Sequence, residues 1–139
     1  MPSIHVDPAE TEWVSGVPFY GPAATYQGRH IVQLKILSDR RADGGGIAWL
    51  VRFTPPPGKL IKIIATALSE EHSLILEGGR ATKSGEPRKQ AGGYSLNTTG
   101  QPHSAFIAHE SVALVIYSGE PDEIHAMEVV DLDQNTTAG

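Results

Sequence analysis

A chain of 139 residues fits one domain of ordinary size and can bury a real core without staples. It has no cysteine, which excludes disulfides and thiolate metal sites. Its net charge of −5 and 6% aromatic content argue against a nucleic-acid binder, which normally carries a clustered basic face and stacking rings.

Residues 1–13 have neither the basic start nor the apolar run of a secretory signal. No stretch approaches the ~20 apolar residues that cross a bilayer. A cytoplasmic protein with no membrane and no nucleic-acid partner is expected. Asp7-Pro8-Ala9-Glu10 reads as an N-cap with proline at the first helical position, good for a turn or two before Val17-Pro18. Trp13, Phe19, Tyr20 and Tyr26 share this Pro/Gly-rich segment. Residues 1–30 are expected to cover an open end of the domain or to pack on a neighbouring subunit.

Fifteen glycines and ten prolines then punctuate short apolar runs, the pattern of an all-β sandwich or barrel. Strands are expected over 30–37 and 47–53, separated by the turn Asp43-Gly44-Gly45-Gly46. Three prolines, Pro55 to Pro57, stop the second, because proline cannot donate to a ladder. Further strands are expected over 59–67 and 71–76. The polar stretch 77–92 reads as a short hairpin turning near Ser84-Gly85-Glu86-Pro87. Its basic residues, Arg80, Lys83, Arg88 and Lys89, are interrupted by Glu86 and read as a solvated loop. Strands over 93–96, 103–108 and 112–118 follow. An edge strand is expected over 127–132 and a flexible tail over 134–139.

Two spacings carry more than fold class. Gly58, five residues, Ile64, one residue, Thr66, four residues, Glu71, six residues, Gly78 is the first. Gly92, five residues, Thr98, one residue, Gly100, two residues, His103 is the second. Together they resemble the two motifs of the cupin superfamily. The resemblance implies an all-β domain over 31–133, a cupin-type jelly-roll barrel of two facing antiparallel sheets around a cavity. It also implies that the positions of Ile64, Thr66, Glu71 and His103 would hold one divalent metal through three histidines and a glutamate. Here only Glu71 and His103 keep ligating side chains. Counting three rather than four intervening residues puts Ala65 and Ala67 at the paired positions, again without an imidazole.

The resemblance therefore implies an apolar cavity with Glu71 and His103 as an acid–base pair and Lys62 as a third catalytic candidate near the rim. Ile64, Thr66, Ser73 and Tyr94 are the candidate substrate contacts, although Tyr94 and Tyr117 also read as core aromatics. His72 should point away from Glu71, since neighbours on a strand face opposite ways. It joins Glu71 and His103 as a metal ligand only if the strand slips or bulges. Three functions fit: metal-free proton transfer beside a carbonyl, such as isomerisation, cyclisation or dehydration; metal-dependent chemistry on a non-standard ligand set; and binding of a small molecule without catalysis. No cofactor is required by the first and third, and a divalent metal by the second. A small-molecule ligand is the expected partner, and a homodimer the expected assembly, since pairing covers open sheet edges.

Overall fold

Side chains two apart on a strand share a face, and the apolar ones decide which face turns inward. The computed structural model describes residues 2–132, and the tail expected over 134–139 lies outside them. The strands are β1 (Val14–Ser15), β2 (Thr25–Tyr26), β3 (Arg29–His30), β4 (Val32–Arg40), β5 (Gly46–Phe53), β6 (Lys59–Thr66), β7 (Glu71–Glu77), β8 (Gly79–Ala81), β9 (Pro87–Gln90), β10 (Tyr94–Asn97), β11 (Pro102–Ile107), β12 (Ser111–Tyr117) and β13 (Glu123–Asp131). Among the described residues one short α-helical turn, α1, spans Val17–Tyr20. Among the described residues no helix is long and apolar enough to cross a membrane.

Two sheets face each other. The larger runs β1-β4-β5-β12-β7-β10 and the smaller β11-β6-β13; β2-β3 and β8-β9 are separate hairpins. Every pairing is antiparallel. The larger sheet sends Val32, Leu34, Ile47, Trp49, Val51, Phe53, Ala113, Val115 and Tyr117 inward. The smaller meets them with Ile61, Ile63, Ala65, Ile107 and Met127 in one core cluster. Burying these branched and aromatic side chains is the main stabilising term for such a sandwich.

The strand expected over 127–132 is longer, β13, and is the edge of the smaller sheet beside β6. Its register shifts between Ile124 and Ala126, which leaves His125 as a bulge. The shift lets Ile124 and Met127, three apart, both face inward; without it one would point to solvent. It also sets the face of Asp122, two residues before Ile124.

Part of the N-terminal segment packs on the core. Tyr20 packs edge-on against Phe53, with ring centroids 5.9 Å apart, and Phe19 lies 4.7 Å from Trp49. Trp13 instead lies on the outer side, with the Lys35 ammonium and the Arg52 guanidinium 4.8 and 4.5 Å from its ring centre. The first turn is built as expected, with Asp7 Oδ1 accepting from the Ala9 N–H at 2.9 Å.

The β8–β9 hairpin lies against β11 of the smaller sheet and β12 of the larger. Gly78 has φ +69°, and a Cβ there would lie 2.3 Å from the Glu110 carbonyl oxygen. At Gly79 it would lie 2.1 Å from the Lys89 carbonyl oxygen. Only glycine lets the chain approach this closely.

Candidate functional site

Between the sheets lies a cavity of about 320 Å³. Its floor is apolar, formed by Val51, Ile63, Ile75 and Val115, while Glu71, His103, Asp122 and Arg80 bring charge into it. Beyond the Glu71 and His103 expected in an apolar cavity, Asp122 and Arg80 add charge to it.

Glu71 opens β7 and is buried, with 9% of its surface exposed. A buried carboxylate needs donors, and two neighbours supply them. Asn97 Nδ2 donates to Oε1 at 2.8 Å, and the Tyr117 hydroxyl donates to Oε2 at 2.9 Å. Both donors lie opposite Glu71, on β10 and β12. Burial pushes the Glu71 carboxyl up, and the Asp122 charge adds to that rise; the bonds from Asn97 and Tyr117 oppose it.

His103, on β11, pairs across to Ala65 on β6 and turns inward. Its Nε2 lies 2.8 Å from Asp122 Oδ2 and 3.7 Å from Glu71 Oε1. Its pKa is raised, first by the close Asp122 carboxylate, against desolvation. The 2.8 Å approach nevertheless misses hydrogen-bond alignment: Nε2 and Asp122 Oδ1 are both buried without a hydrogen-bond partner. We therefore treat the pair as a charge contact that leaves two polar atoms unsatisfied.

Asp122 is the residue that the sequence did not single out. Its side chain is 5% exposed. One ligand atom from each of Glu71, His103 and Asp122 lies within 4.8 Å of the others. One imidazole and two carboxylates form a nitrogen–oxygen donor set that suits a divalent first-row cation. Two buried carboxylates this close favour a proton or a cation between them. The unsatisfied Nε2 and Oδ1 leave lone pairs for the same purpose, so the group could hold a divalent metal.

The other expected residues fall elsewhere. On β6 the inward side chains are Ile61, Ile63 and Ala65, 0 to 6% exposed, whereas Ile64 is 37% exposed. Lys62, Ile64 and Thr66 thus lie on the outer face. Lys62 is not beside Glu71, and the Thr66 hydroxyl meets His125 Nε2 at 2.7 Å outside. Of the two counted registers, the one through Ala65 and Ala67 lies on the buried face, each 1% exposed, and the one through Ile64 and Thr66 does not. Ser73 does reach the cavity, bonded to Ser95 Oγ at 2.9 Å. Tyr94 does not: it is 57% exposed and its hydroxyl meets His72 Nδ1 at 2.7 Å. His72 points away from Glu71 as period two dictates, so Asp122, not His72, is the third group beside the pair.

No protein-family model matches the chain, and no curated protein matches it. Solved structures do. An RmlC-like cupin protein from Ralstonia eutropha JMP134 superposes with TM-score 0.65 at 16% identity, over 93% of this chain and 80% of that one. An acetylacetone dioxygenase from Acinetobacter johnsonii superposes with TM-score 0.63 at 11% identity, over 98% and 91%. KdgF from Halomonas sp. superposes with TM-score 0.55 at 15% identity, over 84% and 94%. The fold is that of the cupins. On β6 the side chain that lines the cavity is Ile63, which offers no metal ligand. Asp122, from the turn before β13, brings a second carboxylate to the cavity.

Two further residues went unnoticed in the sequence. Tyr20 lines the cavity from α1, and burial together with the Glu71 and Asp122 charges pushes its phenol up, so it is neutral. Arg80 lines it from β8, where a solvated loop was expected.

Proposed function

We propose that this cupin is an enzyme acting on a small carbonyl-type molecule in the cavity, with a divalent cation held by Glu71, His103 and Asp122. The observation that carries the reading is the convergence of three ligand atoms within 4.8 Å, two buried polar atoms beside them lacking any partner. When bound, such a cation supplies Lewis-acid polarisation of a carbonyl oxygen. The chain's own groups have separate tasks. Asn97 and Tyr117 hold Glu71 in one orientation. Asp122 holds the His103 ring by charge. Tyr20 covers the cavity from the N-terminal side, and the apolar floor keeps water from the reacting carbon. Three protein ligands leave coordination positions open, as in catalytic rather than structural sites.

A second reading is favoured by the raised Glu71 carboxyl. A carboxyl raised by burial can give and take a proton beside a carbonyl, with His103 as its partner and no metal. One experiment separates the two. The protein is stripped with chelator and a panel of small carbonyl compounds is screened for turnover, before and after Mn²⁺, Fe²⁺ or Zn²⁺ is returned. Turnover only after reloading supports the first reading. Turnover indifferent to chelator supports the second and contradicts the first. No turnover in either state contradicts both and leaves a binding protein.

A further inference from the structure

Arg80 stands in the cavity wall with no anion to pair with. Its guanidinium carbon lies 5.1 Å from the Phe53 ring centre. Nη1 donates to Ser111 Oγ at 3.1 Å and to the Gly79 carbonyl at 3.2 Å. A guanidinium has five N–H donors in a rigid fork. Here the side-chain hydrogen bonds of Arg80 run through Nη1, and none of the ion pairs among the described residues includes Arg80. Arg80 lines the cavity, and that leaves Nε and Nη2 as the donors for a ligand.

The backbone permits this placement. Gly78 allows the chain to approach Glu110, Gly79 allows the close pairing with Lys89 inside the hairpin, and Arg80 on β8 lines the cavity. Lys89 and Arg88, from β9, line the same side of the cavity. The cavity is therefore bipolar, with Glu71 and Asp122 forming its acidic group and Arg80, Lys89 and Arg88 its basic one. Among the described residues Arg80 feels the Glu71 charge at a distance but has no direct ion pair, so its guanidinium fork is available to a ligand anion.

We propose that the substrate is a small organic carboxylate whose carboxylate is received by Arg80, with Lys89 and Arg88 at the entrance, while its neutral oxygen end faces Glu71, His103 and Asp122. The planar fork matches a carboxylate in two parallel bonds, which fixes the ligand's orientation as well as its charge. This rests on the carbonyl-chemistry reading above and adds the charge class of the substrate.

The test compares two probes of nearly equal shape, acetoacetate and neutral acetylacetone, by calorimetric titration of the full chain. Wild type should bind acetoacetate about tenfold or more tighter, the scale of one charge-assisted contact. Arg80→Gln should erase the preference, and Arg80→Lys should keep part of it. Asp122→Asn should keep the preference while losing Mn²⁺ binding, so that failure of the anion site and failure of the metal reading register separately. Equal affinity for the two probes, absent binding of acetoacetate at millimolar concentration, or a preference that survives Arg80→Gln would overturn the proposal. Should Arg80→Gln not fold, the side-chain Nε–H resonance of Arg80 in wild type decides. It should shift on titration with acetoacetate and not with acetylacetone, and an unmoved resonance overturns the assignment.

Discussion

Tyr117 and Glu71 sit directly opposite each other on β12 and β7, and the tyrosine hydroxyl donates to the carboxylate inside the core at 2.9 Å. The pair ties the site to the packing: the ring of Tyr117 also lies edge-on to Trp49, with centroids 5.2 Å apart. Tyr117→Phe keeps the ring and removes the donor. It should cost about 1–3 kcal/mol, the penalty for leaving a buried acceptor unpaired. The loss should be larger at neutral pH than at acid pH, where Glu71 is protonated and needs the donor less. Urea unfolding at two pH values measures both, and an equal loss at each would contradict the assigned role.

Asp122→Asn should lower the pKa of His103, because the nearby carboxylate is the largest cause of its elevation. Proton NMR of the imidazole in metal-free protein reads this directly. An unchanged titration would mean that the 2.8 Å contact does not exist in solution.

Stability of the metal-free protein should fall as pH rises. The folded pKa of His103 is above the ordinary 6.5, so its stabilisation is full below that value and is lost as pH passes the folded value. The folded pKa of Glu71 is also raised, above 4.5, so folding favours its protonated form and that contribution too is lost on deprotonation. Both push the same way, from above 4.5 upward through and past 6.5. The melting temperature of wild type minus that of a Glu71→Gln, His103→Gln double variant, measured with chelator present, should decline across this window. A rising difference would reverse the sign of at least one shift.

Ile63→Ala should cost about 2–5 kcal/mol as a core truncation, and Ile64→Ala under about 1 kcal/mol as a surface change. The contrast, read by chemical denaturation, tests which face of β6 looks inward. A larger cost at Ile64 would restore the register counted from the sequence.

That register shows how far the sequence could be read. Glycine and proline placed the strand breaks, and alternation placed most strands within a residue or two. The motif spacing found Glu71 and His103, which the structure brings within 3.7 Å. It could not place Ile64 and Thr66, because the length of the corner between β6 and β7 decides the face, and a one-residue error exchanges inside for outside. Tyr94 was misread as a core or substrate-facing aromatic for a similar reason: on β10 it is Ser95 and Asn97 that face the cavity. Asp122 lies in Ser118-Gly119-Glu120-Pro121-Asp122, which carries every mark of a solvated turn and none of a ligand. Arg80 sits in a polar hairpin without periodicity. Its place in the cavity wall and the close approaches at Gly78 and Gly79 are tertiary facts.

The most direct test of the central claim is anomalous diffraction from crystals grown with Zn²⁺ or Mn²⁺. The account predicts one strong peak in the cavity, within bonding distance of His103 Nε2 and of carboxylate oxygens of Glu71 and Asp122, and its loss in Asp122→Ala. A peak elsewhere, on His72 or His125, with the cavity group free of metal at saturating concentration, would contradict it.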